Sequence, residues 1–220
     1  MKTLILISGK MRSGKNQFAD FLNVSLLSKG KSVRSDLFAN DLKKGCEEDF
    51  SYMMKQVNEQ VLKIKDVLSY SRIDANSLKT VTSLLNDLMI DKAENWYEDK
   101  TMMSRLLLQT YGTQIFRDRV NKNHWVDQVL KRAIQCKEEY TLVTDARFEN
   151  EIEHVKDVCS QNDIRVLSVR IERDIPLNNL YEHDSEKGLD NYKNWDLVVN
   201  NNKALDDLQM SASVFVDSIV

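Results

Sequence analysis

Proline is nearly missing from this 220-residue chain; Pro176 is the only one. Six glycines and three cysteines are almost as scarce. So little proline and glycine excludes collagen-like repeats and long low-complexity linkers, and it leaves room for long uninterrupted helices. Cys46, Cys136 and Cys159 are odd in number, widely spaced and without C-x-x-C or Cys/His spacing. They read as reduced structural thiols, not as a disulfide framework or a zinc site. No apolar stretch approaches the ~20 residues that a membrane helix needs. Met1-Lys2 leads straight into a strand-like run without a signal-peptide pattern, so a soluble, cytoplasmic chain is expected. Charge of one sign is also lacking. With 31 Lys and Arg against 34 Asp and Glu the net charge is -3, which gives no electrostatic footprint for a nucleic acid polymer. Mononucleotides or proteins are the expected partners.

What is present is globular: 42% hydrophobic and 30% charged residues. The length favours one domain, 1–220, with a helical elaboration. Apolar β-type runs occur at Thr3 to Ser8, Ser32 to Phe38, Thr141 to Thr144, Ile164 to Ile171 and Asp196 to Asn200, with helical patterns between most of them. That alternation predicts an α/β fold with a parallel five-stranded sheet flanked by helices. After the first run, Phe18, Phe21, Leu22, Leu26 and Leu27 recur at helical spacing and Gly30 supplies a stop. Met54, Val57, Val61, Ile64 and Leu68, then Leu78, Val81, Leu85 and Leu88, predict two helices within an insertion at about 47–98. The stripe is short for a coiled coil, so packing on the sheet is favoured over a dimerisation surface. Pro176 lies in a polar stretch after the fourth strand, and a covering lid is expected at about 173–190.

The chemistry starts at Gly9-Lys10-Met11-Arg12-Ser13-Gly14-Lys15-Asn16-Gln17. Gly9, Gly14 and Lys15 keep the spacing of the phosphate-binding loop G-x-x-x-x-G-K-[ST], between a strand and a helix as that loop requires. Backbone N–H groups of such a loop cradle phosphate oxygens, the helix adds its positive dipole end, and the lysine reaches the terminal phosphates. The hydroxyl that normally holds Mg²⁺ is replaced by Asn16, and Gln17 follows. Arg12, inside the loop, is placed to meet a donor or an acceptor phosphate.

Phosphoryl transfer relies on positioned positive charge and Mg²⁺. Asp145 follows the strand-like Leu142-Val143-Thr144, and ligands of open parallel sheets bind beyond the strands' carboxyl ends. Asp145 is therefore expected to hold Mg²⁺ through water; the alternative is a cap for the helix from Arg147 to His154, and the flanking strand and Arg147 favour the first. Arg105, Arg117, Arg119, Arg147, Arg170 and Arg173 fall in regions that should edge the cleft.

Five strings occur in order: the loop with Ser13-Gly14-Lys15; Phe38-Ala39-Asn40-Asp41-Leu42-Lys43; Leu107 to Thr113, continuing to Arg117 and Trp125; Thr144 to Glu151; and His183-Asp184-Ser185-Glu186. Together they make the chain resemble the bacteriophage deoxynucleoside monophosphate kinases over nearly its whole length. The resemblance implies a P-loop kinase fold and transfer of the γ-phosphate of ATP to a deoxynucleoside monophosphate (dNMP), with Mg²⁺, by a homodimer in the host cytoplasm. It implies that residues Gly9 to Gln17 bind the ATP phosphates, with Lys15, Arg12, Asp145 and the lid's Arg173 as the catalytic set. Asp145 and Asn16 would face the metal. Lys43, Gln109, Thr113, Arg117, Trp125, Arg147, His183 and Glu186 would meet the dNMP, although core packing suits Trp125 and a structural hydrogen bond suits His183 equally well.

Departures from the family pattern leave two other readings open. Where the family usually has Gly-Lys-Asp-Thr this chain has Gly14-Lys15-Asn16-Gln17; Asn40 and Asp41 stand where aspartate and proline are common. A nucleotide-binding sensor that has lost metal-dependent catalysis, and a P-loop kinase for another small acceptor, are both compatible with the loop.

Overall fold

Leu4, Ile5, Leu6 and Ile7 are completely buried, which makes their strand the centre of the molecule rather than an edge. In the computed structural model, which describes residues 1–70, 74–88, 102–174 and 187–220, this is β1 (Lys2–Ser8). It pairs in parallel with β3 (Tyr140–Val143) on one side and β4 (Ile164–Glu172) on the other. β2 (Val33–Asp36) joins β3, and β5 (Leu197–Asn200) joins β4, also in parallel. The five-stranded order is β2-β3-β1-β4-β5, so the expected parallel sheet flanked by helices is what forms.

Alternation along β1 divides the core. Ile5 and Ile7 point to the layer made by α1 (Lys15–Ser28) and the C-terminal α7 (Leu205–Ile219), meeting Phe18, Leu22, Leu26, Ala212 and Val216. Leu4 and Leu6 point the other way, to Val126, Val129, Ile152 and Val155 of α5 (His124–Gln135) and α6 (Glu149–Ser160). Each such side chain contributes about 1.5–3 kcal/mol relative to exposure. The strand that carries the phosphate loop is thereby held from both faces.

The described residues fall into two compact units, Met1–Ala39 with Asn123–Val220, and Asn40–Lys122. The sheet belongs to the first. The second holds most of α2 (Ala39–Ser69), α3 (Ala75–Leu88), α4 (Met102–Gln109) and a π-helix (Thr110–Val120); of the insertion expected at 47–98, residues 71–73 and 89–98 lie outside the described residues. Within it Cys46, Val61, Leu85 and Tyr111 are buried. The i→i+5 spacing of a π-helix brings Tyr111 and Phe116 onto one face, ring centroids 4.8 Å apart. Tyr111 donates its hydroxyl to Asp49 at 2.6 Å. Gly112 has no side chain where Leu42 of α2 packs; a Cβ there would come within 2.8 Å of its methyl group. Burial, reinforced by the Asp49 charge, pushes the Cys46 thiol up to about 12.

Among the described residues no helix is long and apolar enough to cross a membrane. Most of the expected lid, 175–186, and with it Pro176, His183 and Glu186, lies outside the described residues.

Candidate nucleotide site

The loop between β1 and α1 is built by what its glycines omit. At Gly9 a Cβ would collide with the Ser13 hydroxyl and the Ile171 carbonyl oxygen. Gly14 has φ 99°, a left-handed conformation that favours glycine, and a Cβ there would strike the side-chain amide of Asn201. Arg12, at φ 63°, takes the same region without being glycine, at a cost of about 1–2 kcal/mol. A strained residue inside a ligand loop is the usual place for such a cost.

Polar contacts then fix the loop. Lys15, first residue of α1, donates from Nζ to the Lys10 carbonyl at 2.9 Å, and the Ser13 N–H donates to the same carbonyl at 3.1 Å. The amide of Asn201, just past β5 and buried, donates to the Ser13 carbonyl at 2.8 Å, while its own N–H donates to the Glu172 carbonyl at 2.7 Å. The loop is thus tied to β4 and β5 at once. Ser13 Oγ is buried and has no hydrogen-bond partner among the described residues. Such an orphan is costly unless a ligand pairs it. Asn16 and Gln17 stand exposed in the first turn of α1.

Asp145 lies beyond β3, where the sequence places it, and its partners are specific. Its two carboxylate oxygens accept the N–H groups of Phe38 and Ala39, each at 2.9 Å, the amides that open α2. Burial raises its pKa, opposed by those two amides and by the nearby charge of Arg147. The helix after Arg147 needs no cap from it. Glu151 serves α6, accepting the N–H groups of Arg147 at 2.7 Å and Phe148 at 3.0 Å. Asp145 caps α2, and not the helix from Arg147 to His154 for which the sequence offered it as a cap.

No group of three or more His, Cys, Asp or Glu suited to a metal ion occurs among the described residues. Mg²⁺ characteristically keeps waters and substrate phosphates around one or two protein oxygens. Asp145, with a second lone pair on each oxygen, and the exposed Asn16 amide fit that demand.

Of the other expected site residues, Arg147 and Arg173 are exposed in the first unit, Arg173 immediately after β4. Trp125 is half-buried on α5, packed against the core and edge-on to His124 at 4.6 Å. Lys43, Gln109, Thr113 and Arg117 belong to the second unit. Lys43 is on α2, Gln109 ends α4, and Thr113 and Arg117 lie four residues apart on the π-helix, spacing that puts them near one face of it. Sequence reading overlooked Asn201. Three consecutive asparagines at 200–202 read as a turn, and nothing local points to the loop 188 residues earlier.

A family profile for deoxynucleotide monophosphate kinase matches residues 36–211. The match starts at the end of β2, so the phosphate loop stands as separate support. None of the curated proteins matches the chain. Among solved structures the chain is similar to the Mycobacterium tuberculosis APS kinase CysC in two forms. One is a cysteine-to-alanine mutant, with 11% identity, 99% of this chain and 97% of that chain covered, and a TM-score of 0.44. The other is a complex with AMPPNP and APS, with 12% identity, 99% and 98% covered, and a TM-score of 0.44.

Proposed function

The chain belongs to the deoxynucleotide monophosphate kinase family and is an ATP-dependent kinase, and on that footing we propose that it transfers the γ-phosphate of ATP to a dNMP in phage nucleotide metabolism. A phosphate oxygen of the dNMP attacks the γ-phosphorus, the bond from that phosphorus to the β,γ-bridging oxygen breaks, and dNDP and ADP leave. The observation that carries this reading is the phosphate loop, whose glycines, Asn201 anchor and unpaired Ser13 hydroxyl form a ready cradle for phosphate oxygens.

In this reading Lys15 exchanges the Lys10 carbonyl for the terminal phosphates, and Arg12 and Arg173 neutralise charge that spreads over the equatorial oxygens of a loose transition state. Asp145 and Asn16 would hold Mg²⁺, which supplies charge neutralisation between the phosphates. Asp145 also fixes the start of α2, the helix that carries Lys43. Lys43 and Arg117 bind the acceptor phosphate, Gln109 and Thr113 read base and sugar, and the resemblance assigns Arg147 to the acceptor as well. Trp125, packed against the core, is the remaining residue that the resemblance assigns to the acceptor. His183 and Glu186, outside the described residues, are assigned to the acceptor by the resemblance alone, and the active form is a homodimer in the host cytoplasm.

Coupled ADP release with each of the four dNMPs and the matching ribonucleotides tests this directly. Lys15→Ala should lower turnover by at least about 10²-fold; an absence of turnover on every acceptor overturns the proposal. Exposed Asn16 and Gln17, neither carrying a hydroxyl, favour one second reading, a nucleotide-binding sensor. Such a protein would bind ATP by calorimetry independently of Mg²⁺ and release no ADP.

A further inference from the structure

One acidic side chain outside the assigned site holds two cations at the base of the phosphate loop. Asp190 Oδ2 meets Lys10 Nζ at 3.0 Å, and Oδ1 accepts from Arg170 Nη2 at 3.3 Å. Arg170 is buried on β4, its guanidinium 5.8 Å from the Trp195 ring centroid. From Nη1 it donates to Ser8 Oγ at 3.2 Å, at the end of β1, and Ser8 Oγ donates to the Ala146 carbonyl at 2.7 Å. A continuous polar chain therefore runs from Lys10 in the loop, through Asp190, Arg170 and Ser8, to the carbonyl of Ala146, the residue after Asp145.

Lys10 is the residue this chain grips from two directions. Its carbonyl receives Lys15 Nζ and the Ser13 N–H, so its backbone sets where the phosphate-binding lysine rests. Its side chain is drawn to Asp190. With 39% and 35% of the two side chains exposed, a pair of this kind adds little to folding stability. Its consequence is positional, because a loop already ordered in its binding conformation holds a ligand more tightly than one that must be ordered on binding.

We infer that Asp190 is a positioning residue for the phosphate loop, acting through Lys10. The carboxylate neutralises Arg170 on one oxygen, which fixes its own orientation, and steers Lys10 with the other. The kinase consequence rests on the reading above; the loop-ordering consequence does not.

The experiment uses the full chain with D190N, D190E, K10M and the D190N/K10M pair. In the nucleotide-free protein, hydrogen exchange at the amides of residues 9–15 should accelerate in D190N and in K10M, and D190E should restore it. With ATP and a dNMP acceptor, D190N should raise the ATP KM about tenfold while kcat and the acceptor KM stay within about twofold. In the K10M background the D190N substitution should add nothing further. Unchanged loop exchange in K10M overturns the inference, as does an undiminished D190N effect in that background. Should D190N fail to fold, with Arg170 unneutralised, exchange in K10M alone decides. A wild-type chain without turnover counts against the kinase reading, and the exchange arm still judges Asp190; turnover with an unaltered D190N ATP KM overturns the inference alone.

Discussion

The carboxylate of Asp145 accepts the backbone N–H of Ala39, first residue of α2, at 2.9 Å, and its other oxygen holds the N–H of Phe38 at the same distance. The acid just past β3, proposed to face the phosphates, thus caps the helix on which Lys43 stands. Asp145→Asn keeps the size but turns one acceptor into an NH₂ group facing an N–H donor. The expected cost is about 1–2 kcal/mol in urea unfolding, the range for a lost helix cap. If Asp145 holds Mg²⁺ as proposed, kcat should also fall about 10²-fold or more. Loss of stability with kcat retained would reduce Asp145 to a cap.

Asn16 offers a gain-of-function test. It stands exposed in the first turn of α1, where the usual loop carries a metal-binding hydroxyl. Asn16→Thr should lower the Mg²⁺ concentration for half-maximal ADP release several-fold while leaving the acceptor KM unchanged. A Mg²⁺ titration of both forms checks it, and an unmoved midpoint would take Asn16 out of the metal shell.

The thiols make a pH-dependent prediction. Burial pushes Cys46 up to about 12 and Cys159 up to about 11. Both are wholly buried, whereas Cys136 is half-buried. A thiol reagent at pH 8 should label Cys136 in the native chain and reach the other two only on unfolding. The sign of the linkage follows from the raised values. An unfolded Cys46 loses its proton near its ordinary value of 9.0 while the folded one retains it, so its contribution to stability is full below that value and lost as pH rises toward about 12. Tyr111, raised by burial and by its hydrogen bond to Asp49, acts in the same direction. Cys46→Ala should flatten the alkaline fall in unfolding free energy.

Most strands were legible as short runs rich in apolar residues, and β1, buried on both faces, announces itself in Leu4 to Ile7, whereas β2 (Val33-Arg34-Ser35-Asp36) is largely polar. The phosphate loop was legible because its chemistry is local. What escaped depends on partners far apart in the chain. Asp145 meets Ala39 across 106 residues, and Arg170 meets Ser8 across 162, so no window of sequence contains both ends. The π-helix escaped for another reason: its i→i+5 bonding leaves no apolar period distinguishable from an α-helix over Thr110–Val120.

Gly14 and Asn201 provide a test of how the loop is braced. Gly14→Ala forces a side chain into a left-handed conformation, about 1–2 kcal/mol, and drives its Cβ into the Asn201 amide. Asn201→Ala leaves the buried Ser13 carbonyl without its donor, a loss of about 1–3 kcal/mol. Once the amide is gone the new methyl has space, so the double variant should be less destabilised than the two single losses combined, by at least about 0.5 kcal/mol. The backbone part of the Gly14→Ala cost should persist, because removing Asn201 does nothing to relieve φ. Urea unfolding of the four proteins gives the coupling directly. Strict additivity would mean that the amide and Gly14 do not compete for the same space, and the brace between β5 and the phosphate loop would have to be sought in other contacts.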